Sequence, residues 1–297
     1  MRLWYQSLTR AEAWPAYTAA LRRMLAAAAD PGTEVLIRGI AGRGGIGDQY
    51  RSLEFVETIE VLENVARAEA EERCDAVLLG NIADPGLRPA REMASVPVLG
   101  LCETALLTAC QMGASTGLVV ANEKHRTRVL DNVALYGLGA RVAAVEVMRV
   151  DRLLDLDAAF AEGPARQSVL AGFRAAAEAC VARGAEVVIP AAGVAMVLLA
   201  EAGVTEAGRG APVLNAAVAL LKAGEAAVKL DRLMGGRFTS RRGAYAQPPP
   251  GQIAELRQAY GGAIFPRVLE AGRGGATQEG PGVAGGAPPP TVGAIGG

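Results

Sequence analysis

Apolar positions along this chain fall into short runs rich in Val, Leu and Ile, separated by longer stretches in which Ala, Leu, Glu and Arg recur at helical spacing. The short runs predict strands at Leu3 to Tyr5, Glu34 to Ile40, Ala76 to Gly80, Val98 to Leu101, Gly117 to Val120, Val142 to Val147, Glu186 to Ile189 and Pro212 to Leu214. The longer stretches predict helices at Ala11 to Ala29, Leu53 to Glu72, Arg88 to Ala94, Thr104 to Met112, Lys124 to Tyr136, Ala165 to Arg183 and Val218 to Met234. Strand followed by helix in repeated order predicts an α/β fold whose parallel sheets are covered by helices on both faces. In such sheets ligand-binding groups gather just beyond the C-terminal ends of the strands.

The pattern echoes itself. Asp75-Ala-Val-Leu-Leu-Gly-Asn81 followed by Val96-Pro-Val-Leu99 resembles Ala185-Glu-Val-Val-Ile-Pro-Ala191 followed by Ala211-Pro-Val-Leu214. The expected architecture is therefore two pseudo-symmetric lobes facing each other across a cleft, one formed by residues 1–112 with about 212–245 and the other by 113–211. From about 246 to 297 the pattern weakens, apart from a short helical stretch at Gln252 to Tyr260, and Gly and Pro come to dominate without period. That tail is expected to be mostly disordered and dispensable for chemistry.

Composition narrows the classes of function. With 30 Lys and Arg against 31 Asp and Glu, the formal net charge of -1 leaves no basic block for nucleic acid. No stretch reaches the roughly 20 apolar residues of a membrane span, and the N-terminus lacks the apolar core of a signal peptide, so a cytoplasmic protein is expected. Cys74, Cys102, Cys110 and Cys180 are scattered and there is one His, His125, which supports neither a disulfide framework nor a metal site.

Gly42-Arg-Gly44-Gly-Ile-Gly47 has the spacing of a dinucleotide-binding turn. Such a turn belongs after the first strand, and the next strand should end in an acidic residue for the ribose; here the next strand ends at Asn81. A flexible loop over a cleft is the better reading. Beside it, Asp48, Tyr50 and Arg51 are within reach of a ligand, and Arg51 has the fork needed to grip a carboxylate, although a surface arginine fits equally.

The strand ends carry the candidate chemistry. Asn81-Ile-Ala-Asp84-Pro-Gly86 follows one strand, and Glu103 sits where another passes into a helix, either as a site acid or as a favourable charge at the helix N-terminus. Pro190-Ala-Ala-Gly193 is a small-residue turn in which the N–H groups of Ala192 and Gly193 can face an anion, or only a tight packing turn. Cys102 adjoins Glu103, with inert burial as its alternative; His125 offers a general acid or base, with an exposed helix start as its alternative.

At these residues the chain resembles the aspartate/glutamate/hydantoin racemase superfamily, and its hydantoin racemase branch in particular. The Gly-Asp-Pro-Gly-Leu turn of the family is matched by Ala83-Asp84-Pro-Gly-Leu87, its Pro-Val-Ile-Gly-Ile-x-Glu stretch by Pro97-Val-Leu-Gly-Leu-Cys-Glu103, and its Gly-Ala-x-Val-Ile-x-Gly-Cys-x-Gly-Met turn by Gly184 to Val194. The resemblance implies a cofactor-independent isomerase that moves a proton at the α-carbon of a small substrate carrying a carboxylate or ring carbonyl, in a protein that commonly forms homo-oligomers. It also implies two facing cysteines, one as base and one as acid; here those positions are Asn81 and Ala191. The family's substrate-binding Asn-Pro-Asn-Thr motif is matched by Gln6-Ser7-Leu8-Thr9, leaving Gln6 and Thr9 as hydrogen-bonding groups. Proton transfer would pass to Glu103, Asp84 or Cys102. A lyase on the same scaffold and a non-catalytic binding protein are the alternatives.

Overall fold

Trp4 and its neighbours show why the first sheet is buried on both faces. Along β1 (Arg2–Gln6), Leu3 and Tyr5 enter one apolar cluster and Trp4 the other. Along β3 (Ala76–Leu79), Ala76 and Leu78 join the first cluster while Val77 and Leu79 join the second. A side-chain period of two with both phases apolar needs helices on both sides.

The computed structural model describes residues 1–46, 50–150, 152–261 and 264–266. Gly47 and Asp48 of the glycine-rich loop, and the Gly/Pro-rich end beyond residue 266, lie outside the described residues. In the first sheet all strands are parallel, in the order β2 (Glu34–Arg38), β1, β3 and β4 (Val98–Gly100), with Leu3 registered between Val35 and Ala76. α2 (Arg51–Ala70) and α3 (Leu87–Met93) cover one face through Val61, Val65, Leu87 and Ala90. α1 (Pro15–Ala28), α4 (Leu101–Met112) and α8 (Ala216–Leu233) cover the other through Leu21, Leu25, Leu106 and Leu220. Gly224 lets α8 lie close against β3, since a Cβ there would stand 2.6 Å from Leu78 Cδ2.

The second sheet is also parallel, in the order β6 (Val142–Val147), β5 (Thr116–Val120) and β7 (Val187–Pro190), and it packs with α5 (Glu123–Leu135), α6 (Pro164–Ala182) and α7 (Gly193–Glu201). Here two expectations change. The run Pro212 to Leu214 makes only isolated bridges, Val213 to Val188 and Pro212 to Glu206, because Pro212 has no N–H to donate and the chain turns at once into α8, whose N-cap is Asn215. The small-residue turn at Pro190 to Gly193 leads into a helix absent from the expected list. α7 is apolar all round, with six of its residues buried, and so lacks the one-sided period by which an amphipathic helix is recognised.

The end of the described chain is anchored. Arg241 donates to the carbonyls of Arg91 and Ala94, and Gln247 Nε2 to that of Met93 at 3.2 Å. Beyond them α9 (Pro250–Tyr260) buries Ile253, and Phe265 packs on the cluster behind β1 and β3. Removing everything after Gly243 should therefore lower stability by about 2 kcal/mol or more, the worth of a buried large apolar side chain. Thermal unfolding of the truncated and full chains checks this, and an unchanged melting temperature would show that the tail contributes nothing.

Candidate active site

Segments following β1, β3, β5 and β7 converge on one cavity of about 80 Å³ between the two sheets. Ser7, Thr9, Gly80, Asn81, His125, Ala192 and Gly193 line it, with Glu54 and Glu57 reaching in from α2 and Arg128 from α5. Trp14, Tyr17, Ile82 and Leu153 supply apolar wall. The volume is enough for several water molecules.

Each side chain is held by an identifiable contact. Ser7 Oγ and Thr9 Oγ1 share a hydrogen bond of 2.7 Å. Asn81 Oδ1 accepts from the N–H of Ala83 at 2.8 Å, which rounds the turn after β3. Gly80 has to be glycine: a Cβ there would lie 2.2 Å from the buried ring of Tyr5. Ala192 is the N-cap of α7 and provides no side-chain cap, so the first amides of that helix are presented at the cavity wall.

Arg128 ties the halves together. Its Nε and Nη2 reach both carboxylate oxygens of Glu54 at 2.9 to 3.0 Å, its Nη1 donates to Asn132 Oδ1 at 2.6 Å, and its Nη2 also meets the carbonyl of Ala83. Asn132 Nδ2 in turn donates to the carbonyl of Ile82 at 3.2 Å. The loop after β3 is thus gripped by a helix of the other sheet. His125, one turn before Arg128, is buried, and its Nδ1 has no hydrogen-bond partner among the described residues. Burial, reinforced by the Arg128 charge, lowers its pKa to about 4, so the imidazole is neutral at pH 7.

Of the residues singled out from sequence, Thr9, Asn81, His125, Ala192 and Gly193 are brought together at the cavity, and the other described ones are placed elsewhere. Gln6 is fully buried and spent locally, accepting from Trp4 Nε1 at 3.0 Å and donating to the carbonyl of Ser7 at 2.9 Å. Arg51 pairs with Asp131 at the surface. Glu103 forms a two-pronged pair with Arg91. Asp84 accepts from the N–H groups of Cys102 and Glu103, both at 2.9 Å, and from Tyr136 Oη at 2.6 Å, so it caps α4 and joins it to the end of α5. The Cys102 thiol is buried beside that carboxylate, which pushes its pKa upward, away from thiolate chemistry. Ala191 is fully buried, its N–H bonded to the carbonyl of Val119.

Glu54, Glu57, Trp14, Tyr17 and Arg128 were not foreseen as lining residues. Glu54 and Glu57 carried a usable signal, because with Glu60 and Asn64 they fall on the α2 face that also carries Val61 and Val65, and acids on an apolar face require a buried partner. The glycine-rich loop shows the same economy of charge. The N–H groups of Ala41, Gly42 and Arg43 point at Glu60, and that of Gly45 at Glu57, so the described part of the loop has its anion-binding amides filled by the protein's own carboxylates.

Comparison with known proteins matches this geometry to a family. The family model described as Asp/Glu/Hydantoin racemase matches residues 12–224, most of both sheets. The chain belongs to that family. The hydantoin racemase of Pseudomonas sp. (strain NS671) is 33% identical over 89 residues, covering 30% of this chain and 35% of that protein. The hydantoin racemase of Paenarthrobacter aurescens is 29% identical over 94 residues, 32% of this chain and 40% of that one. The chain thus matches about a third of the length of these curated relatives. Among solved structures, allantoin racemase from Klebsiella pneumoniae superposes with a TM-score of 0.68 at 25% identity, over 84% of this chain and 94% of that one. Allantoin racemase from Pseudomonas fluorescens, at 23% identity and a TM-score of 0.67, shares the fold over 84% and 98%. Among the described residues no helix is long and apolar enough to cross a membrane.

Two outcomes follow for this racemase-family scaffold. Arg128→Ala should destabilise the protein by about 3 kcal/mol, because it leaves Glu54 partly buried without its partner and frees the loop after β3; a loss below about 1 kcal/mol in denaturant titration would contradict the cross-sheet grip. Burial outweighs the three hydrogen bonds to Asp84 and raises its pKa to about 6. The folded state then holds that proton more tightly than the unfolded chain, whose carboxyl titrates near 3.9. Its contribution to stability is complete below about pH 4 and lost as pH rises through about 6. The stability difference between wild type and Asp84→Asn, measured from pH 4 to 7, should show that slope.

Proposed function

We propose that the cavity binds a small cyclic ureide or related α-substituted carbonyl compound and that the protein isomerises it without a cofactor, with His125 as the proton-transfer group. The observation that carries the reading is a buried, neutral imidazole that belongs to the lining of the cavity and whose Nδ1 has no hydrogen-bond partner among the described residues. A neutral imidazole can accept a proton at one nitrogen and return it. In the forward step the α-carbon–hydrogen bond breaks, the proton goes to the imidazole, and the electron pair moves onto the adjacent carbonyl oxygen as an enolate. In this reading the amides at the start of α7 and the hydroxyls of Ser7 and Thr9, all in the lining, receive that oxygen. Inversion requires the new carbon–hydrogen bond to form on the opposite face, with a water molecule as donor there; the hydroxide left behind takes the proton held by the imidazolium, so charge and protons balance.

Charge supports a neutral ring over a carboxylate-bearing substrate. Arg128, the cation of the lining, is already taken by Glu54, and Glu57 adds a second carboxylate. A substrate carboxylate would bring further negative charge into a site whose described lining has no cation left to meet it. The names of the relatives, hydantoin and allantoin racemases, agree with a ring substrate. A second reading, binding without turnover, is favoured by Asn81 and Ala191 at the two positions where the family resemblance puts cysteines.

Proton NMR in heavy water with 5-substituted hydantoins and allantoin distinguishes the two. Loss of the α-proton signal is expected, slowed at least about 100-fold in His125→Gln and unaffected in Cys102→Ser. Because the imidazole loses its proton near 4, the rate should hold from neutral pH down to about 5 and fall only below that. Exchange that survives His125→Gln removes His125 from the mechanism. Ligand-induced thermal shifts with no exchange in any ring compound establish the binding protein instead.

A further inference from the structure

At about 80 Å³ the cavity lies several-fold below the roughly 300 Å³ at which small-molecule pockets ordinarily begin. The size of ligand it admits is therefore set by whichever part of its wall is not locked into the core. Of the apolar side chains larger than alanine in the described lining, Leu8, Trp14, Tyr17, Ile82 and Val194 are buried. Trp14 is further fixed by its Nε1, which donates to the carbonyl of Gly45 at 3.0 Å. Leu153 alone among them keeps partial exposure, so it stands between the cavity and solvent.

Leu153 opens a 3₁₀ helix, Leu153–Phe160, that follows β6 in the second lobe. Runs of 3₁₀ helix longer than about four residues are uncommon because their hydrogen bonds are poorly aligned, so this one of eight residues depends on what its side chains hold. Leu156 and Ala159 are buried, and the Phe160 ring lies 6.3 Å from that of Tyr17. Asp157 makes the contact that fixes the segment across the lobes. α1 begins without a side-chain cap of its own, since Trp14 occupies its N-cap position. Asp157 fills that role from the other lobe: its carboxylate accepts from the N–H of Tyr17 at 2.8 Å and from that of Ala16 at 3.4 Å, where the helix dipole also favours a negative charge. One end of the 3₁₀ helix thus touches the cavity, and its middle is bonded to the helix that carries Tyr17 in the cavity wall.

We infer that Leu153 is the specificity-determining residue that limits the size of the substituent a ligand can carry into the cavity, and that Asp157 holds it there as a positioning residue. Removing atoms from Leu153 enlarges the space without touching Ser7, Thr9, Asn81 or His125, which come from other elements. That the selected group is a ring substituent rests on the function proposed above; that Leu153 controls access to the cavity does not.

His125 is the one histidine of the chain and lines the cavity. The rate at which diethyl pyrocarbonate acylates its imidazole in the full chain, read by mass spectrometry, therefore measures access. Leu153→Ala should raise that rate about 10-fold or more and Leu153→Phe should lower it. Opposite signs separate a gate from destabilisation, which would speed acylation in both variants. Asp157→Ala should behave like Leu153→Ala, whereas Asp157→Asn, which keeps an acceptor for the Tyr17 N–H, should stay near wild type. A second measurement compares 5-benzylhydantoin with 5-methylhydantoin by α-proton exchange, or by apparent affinity in thermal shift where no exchange occurs. Leu153→Ala should move that ratio toward the benzyl compound by at least about 10-fold. Acylation that is equal in wild type and Leu153→Ala, or a ratio that stays fixed while both hydantoins react or bind, overturns the inference. Acylation that responds as stated while no hydantoin binds or exchanges overturns the ring reading alone and leaves Leu153 as the gate.

Discussion

One guanidinium holds the cavity in shape. Arg128 leaves α5 in the second lobe, neutralises Glu54 on α2 in the first, and meets the carbonyl of Ala83 in the loop that ends β3. Charge-assisted bonds at low exposure are stronger and more directional than surface pairs, so this contact adds a directional tie to the apolar cluster that the two sheets share. The pair Arg51–Asp131 crosses the same gap but is half exposed on both sides and contributes little. Lobe motion in this protein would have to break or carry the Arg128 contacts, which makes them the natural hinge constraint for ligand entry.

Around that contact, carboxylates act mainly as internal acceptors for backbone amides. Asp84 caps α4, Glu60 and Glu57 fill the glycine-rich loop, and Glu69 takes the N–H of Ser95. Each satisfies amides that would otherwise be stranded away from water. The consequence is chemical: these acids have their oxygens occupied by donors of the protein itself, and Glu103 is committed to Arg91. Among the described residues the cavity keeps hydroxyls, helix-terminal amides, one neutral imidazole, one closed ion pair and the carboxylate of Glu57. A site of that character stands apart from the two-thiol arrangement that the family resemblance implies.

Much of this was legible from residue order. Alternating strand and helix patterns located both sheets, and the small-residue or turn-forming motifs after them located Asn81, Ala192 and Gly193 at the cavity. α7 escaped because uniform burial erases the period of a helix, and the anchoring of the chain's end escaped because it rests on Ile253 and Phe265, two isolated apolar residues without pattern. Asp84 and Glu103 looked catalytic because strand-end acids near a cleft usually face it. Here their partners, Tyr136 and Arg91, come from other elements and turn them away.

Local sequence thus determined which segments would be strands and helices, that both sheets would be parallel and buried, and which loops would meet at the site. Those properties depend on periodicity and turn chemistry, which act over a few neighbouring residues. Tertiary structure decided which side chains of those loops remain available. Whether an acid is a base or a cap, and whether His125 is exposed or buried and neutral, depends on donors and charges brought from residues far away in the chain. Such long-range pairing leaves no local trace in the sequence.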